Sequence, residues 1–254
     1  MVLLQSFIYK IQKPLIISAA AIILPFAAAL PIAAQNTPLN EYGLWIISNS
    51  REFKKMVVIN ADNAMLDVKE HVPGIIIDLK YCGTDNFMKQ KLYPPAQTTY
   101  MRRPAVKALA AVQKKLLEKG LGLKIWDAYR PYAVTVKMWE PVKDDRYAAD
   151  PKFGSGHNRG AAVDITLVNL TTKEELNMGT GFDNFSDTAH IDFKNLPAAV
   201  LQNRLLLQSV MEENGFKVLD TEWWHFYLPD AKKFELLNFS FKELKKINKA
   251  LLTK

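Results

Sequence analysis

Ser155-Gly156-His157-Asn158-Arg159-Gly160-Ala161-Ala162-Val163-Asp164-Ile165-Thr166-Leu167-Val168 changes character halfway along. Gly156 and Gly160 flank a histidine in what reads as a tight loop. From residue 161 the side chains alternate: Val163, Ile165 and Leu167 point one way, Ala162, Asp164 and Thr166 the other. The pattern predicts a strand with its core on the first face. Asp164 is then presented on the opposite face, where it can converge with the loop imidazole of His157.

Outward from this stretch, helical and extended patterns mix. An apolar run at Ile75, Ile76, Ile77 and Leu79 follows a Pro73-Gly74 turn and reads as a strand. Residues 104–117 predict a helix, with proline in its first turn, Val106, Leu109, Ala110 and Leu116 at helical spacing, and Gly120 as the stop. A short strand at 123–126 runs into Asp127-Ala128-Tyr129-Arg130-Pro131. Residues 197–214 form a second helix ended by Gly215, a strand follows at 223–228, and 232–252 reads as a terminal amphipathic helix. Residues 36–56 read as a connecting segment without an assigned element. Mixed helices and strands without regular βαβ alternation predict an α+β fold in one domain.

The first 34 of the 254 residues read as an export signal: Lys10 and Lys13 without an acid, an apolar run over 15–33 broken by Pro25 and Pro31, and small residues up to Ala34. An uncleaved anchor helix is the plainer alternative. Cleavage would leave residues 35–254 as the functional domain, periplasmic or otherwise extracytoplasmic, with no stable membrane span. Loss of Lys10 and Lys13 lowers the formal charge from +7 to +5. No basic run interleaved with aromatics is present, so a nucleic-acid partner is not expected, and the terminal lysines read as a solvated helix face. Cys82 is the single cysteine, which excludes an intrachain disulfide and reads as a small buried apolar residue.

The chain has four histidines, His71, His157, His190 and His225. His225 closes Glu222-Trp223-Trp224-His225 with aromatic neighbours. Two imidazoles, the Asp164 carboxylate and an open fourth position suit catalytic Zn²⁺. Glu222 is the candidate for a non-ligand general base. In a regular strand, positions three apart face opposite ways, so Glu222 must lie in a turn or beyond a bulge to reach His225's side. Singly, each residue has a plainer reading: a hydrogen-bonded His or Asp, an Arg130 held in a structural ion pair, tryptophans in the core.

Together, Ser155-x-His157-x-x-Gly160-x-Ala162-x-Asp164 and Glu222-x-x-His225 resemble the metallopeptidases that cleave D-amino-acid dipeptides and cell-wall peptides. Within that group the chain is similar to the D-alanyl-D-alanine dipeptidases of the VanX type, in zinc D,D-peptidase family M15. Supporting segments are Ile77-Asp78-Leu79-Lys80-Tyr81, Thr84-Asp85-Asn86-Phe87, residues 126–131, Met178-Gly179-Thr180-Gly181-Phe182-Asp183 and Asn203-Arg204-Leu205-Leu206-Leu207. The resemblance spans roughly residues 60–230. It implies a small, mainly antiparallel sheet flanked by helices, as in hedgehog-like D,D-peptidases.

It also implies one Zn²⁺ on His157, Asp164 and His225, Glu222 as base, and Arg130 stabilising the tetrahedral intermediate. Asp183 would sit near the substrate ammonium, and Ser155 and Tyr81 would line the dipeptide pocket. His190 would lie beside the site or in its framework. The implied reaction is hydrolysis of D-Ala-D-Ala to free D-alanine. The alternatives are a D,D-carboxypeptidase or L,D-endopeptidase acting on peptidoglycan stem peptides, or a non-catalytic cell-wall-peptide-binding module. The last would need neither Glu222 nor Arg130.

Overall fold

The alternating stretch forms a strand, Ala162–Asn169, as its period of two predicts. Both of its faces are covered, however, and Asp164 and Thr166 are as buried as Val163 and Ile165. The face opposite the core is thus the floor of a protein-lined site, and the surface alternation describes only half of its burial. A computed structural model describes residues 38–252. The expected leader and its boundary at residue 35 lie outside them. No helix among the described residues is long and apolar enough to cross a membrane.

The described residues begin with β1 (Ile46–Ile47), α1 (Ser50–Ile59), β2 (Met65–Asp67), α2 (Val68–His71), β3 (Ile76–Ile77) and β4 (Tyr100–Arg102). It continues through α3 (Arg103–Leu117), β5 (Leu121–Asp127), α4 (Tyr132–Trp139) and β6, the strand just described. Last come α5 (Ala198–Glu212), β7 (Lys217–Leu219), β8 (Glu222–Tyr227), β9 (Leu236–Leu237) and α6 (Phe241–Leu252). The main sheet has the order β3-β5-β6-β8-β7. Only β3–β5 is parallel, and the other three pairings are antiparallel. The architecture is α+β, and its sheet is mainly antiparallel, as expected.

The core lies between this sheet and α3 and α5. Leu123, Ile125, Val163, Ile165 and Leu167 pack with Val106, Leu109, Val112 and Leu116 of α3 and Leu207, Val210 and Met211 of α5. Each such side chain contributes about 1.5–3 kcal/mol by leaving water. Gln113 joins the layers by polar contact, its Oε1 accepting from the Leu123 N–H at 2.9 Å.

Three expectations change. The terminal helix starts at Phe241 instead of 232. Ser240 Oγ accepts from the Glu243 N–H, and Glu243 Oε2 accepts from the Ser240 N–H, a reciprocal cap that sets the helix start. Before it, Leu236 and Leu237 pair in parallel with Ile46 and Ile47. The segment 36–56 contains a helix start, because Asn49 Oδ1 accepts from the Arg51 and Glu52 N–H groups and Phe53 is buried on its inner face. Cys82 is half-buried rather than buried, and its thiol donates to the Pro94 carbonyl at 3.3 Å.

The turn carrying His157 is pinned from outside. Gly160 has φ +67°, and a Cβ there would lie 2.5 Å from Met65 Sδ, so only glycine passes beneath β2. Arg102 is fully buried without a carboxylate partner in hydrogen-bond contact. Its guanidinium donates instead to the carbonyls of Arg159 (2.7 Å), Asn63 (2.6 Å) and Glu235 (2.9 Å), between the rings of Phe53 and Phe234. Replacing it leaves three acceptors without their charged donor. Arg102→Met should therefore lower unfolding free energy by about 3–5 kcal/mol in urea titrations. A loss under about 1 kcal/mol would show that water replaces those bonds freely.

Candidate metal centre

Three neighbouring strands set the site. In the β5–β6 pairing Asp127 stands opposite Asp164, and in β6–β8 Asp164 stands opposite His225. The three side chains thus occupy one row across the sheet. His157 approaches this row from the turn before β6. Its Nε2 lies 3.2 Å from His225 Nδ1 and 3.5 Å from Asp164 Oδ2, while His225 Nδ1 lies 2.8 Å from Asp164 Oδ1. The three potential ligand atoms fall within 4.8 Å of one another.

The donor set fits a metal cation. His157 Nδ1 is 2.7 Å from the Ala128 carbonyl, which can only accept, so that nitrogen carries the proton and Nε2 turns its lone pair toward Asp164 and His225. Asp164 and His157 are each only 3% exposed, so a carboxylate is held beside two imidazoles away from bulk water. Burial opposes Asp164's charge, but the two histidines outweigh it and hold the carboxyl well below the usual range. Burial also disfavours charge on His225, yet Asp164 raises its pKa overall.

The geometric objection to Glu222 is resolved by a sheet irregularity. Val218 pairs with Phe226, but the next residue, Leu219, pairs with Glu222. This slip lets Glu222 and His225, three residues apart, meet on one side, with Oε2 at 4.0 Å from His225 Nδ1. Burial pushes the Glu222 carboxyl pKa up.

All eight residues singled out in the sequence line one cavity of about 200 Å³: Tyr81, Arg130, Ser155, His157, Asp164, Asp183, Glu222 and His225. Arg130 Nε and Nη2 donate to Asp127 Oδ2 at 3.1 and 2.8 Å. Its guanidinium stacks 5.2 Å above the Tyr81 ring. Asp183 has φ +55° and accepts from the Tyr81 hydroxyl (3.1 Å) and the Phe87 N–H (2.9 Å). Despite these donors, burial raises its carboxyl pKa to about 7. Ser155 Oγ accepts from the Asn158 N–H at 3.2 Å. Trp223 and Trp224 are both buried, and Trp224 also meets the cavity. The His190 carbonyl accepts from Arg204, which also ties down the Met178 and Thr188 carbonyls and so anchors the segment carrying Asp183.

Two framework residues went unassigned in the sequence. Asp127, fully buried, accepts from Tyr93 on Oδ1 (2.9 Å) and from Arg130 on Oδ2, with His157 Nδ1 3.7 Å away. Asn158 donates to the Arg130 carbonyl and Thr135 Oγ1, and accepts from the Ser155 N–H. The Asp-x-x-Arg spacing was a signal for the first. Nothing local marked the second.

The family model described as D-ala-D-ala dipeptidase matches residues 61–247, a span that contains every residue of this cavity. The D-alanyl-D-alanine dipeptidase of Escherichia coli (strain K12) is 36% identical over 181 residues, covering 70% of this chain and 91% of that protein. The Streptomyces coelicolor protein of the same name is 34% identical over 182 residues, covering 64% and 90%. The Enterococcus faecalis one is 30% identical over 188 residues, covering 66% and 93%. With its fold, its histidine–aspartate cluster and these matches in agreement, the chain belongs to the D-ala-D-ala dipeptidase family of M15 peptidases, a family of zinc-dependent metallopeptidases.

Proposed function

We propose that this protein hydrolyses D-Ala-D-Ala to two molecules of D-alanine, using one Zn²⁺ held by His157, Asp164 and His225. The observation that carries the reading is the pairing, in one small cavity, of this triad with a separate half-buried carboxylate, Asp183. The cavity, at about 200 Å³, is below the usual 300–1,000 Å³ of small-molecule pockets, which suits a substrate of two alanines. The relatives named above carry D-alanyl-D-alanine dipeptidase as their activity, which supports the same substrate here.

When bound, zinc supplies a Lewis acid that acidifies water and polarises the scissile carbonyl. Glu222 takes the proton of the attacking water and passes it to the leaving amine as the C–N bond breaks. Its half-buried position raises its proton affinity in the direction that role needs. Arg130, fixed by Asp127, keeps guanidinium donors available for the oxyanion that forms on the carbonyl oxygen. Tyr81 stays protonated because burial raises its pKa strongly, so it remains a donor to Asp183. Asp183 then receives the substrate's ammonium, a charged partner for a half-buried carboxylate whose own donors, Tyr81 and Phe87, are neutral. A stem peptide brings no ammonium to that point, and this disfavours the carboxypeptidase and endopeptidase readings. The apolar leader over residues 15–33 supports an extracytoplasmic site of action.

Glu222→Gln should retain one equivalent of zinc by metal analysis and lower kcat by at least about a thousandfold. Turnover near that of the parent would assign the base elsewhere. The Asp183 carboxyl must be ionised to hold the ammonium. With its pKa near 7, kcat/KM for D-Ala-D-Ala should fall about tenfold per pH unit below that value. Asp183→Asn should abolish this acid limb along with most of the affinity, whereas an unchanged limb would place the titrating group elsewhere.

A further inference from the structure

The peptide-length limit has a physical boundary that Asp183 alone does not supply. Around Asp183 an aromatic series runs from Tyr81 through Phe87 to Phe185 and Tyr147. Phe87, whose N–H donates to Asp183, packs edge-on against Tyr81 at 6.5 Å and against Phe185 at 5.5 Å. Phe185 in turn meets Tyr147 edge-on at 5.1 Å, and both of these rings line the cavity. Phe185 and Tyr147 come from different loops, so their contact joins the two segments across the rim.

Each ring is held in place by its own loop. Asn184 Oδ1 accepts from the Ser186 N–H (3.1 Å) and hydroxyl (2.6 Å), which tightens the turn around Phe185. On the opposite loop, the Asp144 carbonyl accepts from the Tyr147 and Ala148 N–H groups at 3.1 Å. The Asp144 carboxylate grips Arg146, whose guanidinium backs the Tyr147 ring at 5.4 Å. A chain continuing past an ammonium seated at Asp183 would run toward these two rings, which line the same cavity.

We propose that Tyr147 and Phe185 form the wall that closes the cavity beyond the substrate's amino group and so determine that a dipeptide, not a longer peptide, is accepted. The inference rests on the dipeptidase reading above. Truncating either ring opens the path for one further residue. Even one surplus methylene against a hydrophobic wall sets discrimination of about 10- to 200-fold.

The test is calorimetric binding to the zinc-loaded Glu222→Gln protein, which separates binding from turnover. D-Ala-D-Ala is compared with Gly-D-Ala-D-Ala, which carries the same terminal pair. In the Tyr147→Ala and Phe185→Ala backgrounds the ratio of tripeptide to dipeptide affinity should rise about tenfold or more. Tyr147→Phe, which keeps the ring, should leave the ratio unchanged. Tyr147 is 38% exposed, so its truncation spares the core, and equal melting temperatures would verify this. A ratio within about twofold of the parent in both truncations would overturn the wall, as would a parent that binds the tripeptide as tightly as the dipeptide. Absence of dipeptide binding in every background would instead overturn the dipeptidase reading, and the wall with it.

Discussion

Asp127, Asp164 and His225 stand side by side because β5, β6 and β8 pair antiparallel, with a bulge between Ile125 and Asp127 that turns Asp127 off the core face and into the row of Asp164. A slip of one residue in either pairing would turn Asp164 or His225 to the opposite face of the sheet. The register is held by the apolar face of the same strands: Leu123, Ile125, Val163, Ile165 and Leu167 all bury against α3 and α5. Packing on one face thus supplies the precision of the polar row on the other. The His157 turn is held in the remaining direction by Arg102 and by the room that Gly160 leaves beneath Met65.

The polar row concentrates charge that the fold must compensate. Asp127 and Asp164 are both buried, and burial, with the charge of Asp164 nearby, raises the Asp127 pKa. Arg130 and Tyr93 satisfy Asp127, whereas Asp164 is met by His157 and His225. The two carboxylates therefore differ in role through their partners. Asp127 is an orienting group with its oxygens engaged, and Asp164 is the one whose surroundings call for a cation. Asp183 and Glu222 are raised in pKa by burial, so the cavity carries carboxyls tuned away from their solution values.

Much of this was legible in the sequence because the local patterns were strong. The period of two at 161–168, the helix at 104–117 and the helix at 197–214 all correspond to observed elements. The requirement that Glu222 escape regular strand geometry followed from side-chain alternation alone, and the Val218–Leu219 slip meets it. What was missed depends largely on distant partners, although Arg130 and Ser155 also bond these two residues from three positions away. Asp127 is bonded by Tyr93, 34 positions away, and Asn158 by groups 23 and 28 positions away. The terminal helix was read nine residues too early (232 against 241), because a buried strand and an amphipathic helix share an apolar content that periodicity separates poorly over so short a run.

The central claim is that the strand register and the His157 turn build a metal centre with Glu222 beside it and not among its ligands. A crystal structure of the zinc-loaded protein, with the ion located by anomalous scattering, tests it most directly. The account predicts one strong site in the cavity, bonded to His157 Nε2, His225 Nδ1 and an Asp164 oxygen, with Glu222 outside bonding distance. Zinc located elsewhere, or Glu222 bonded to it in place of Asp164, would contradict the account.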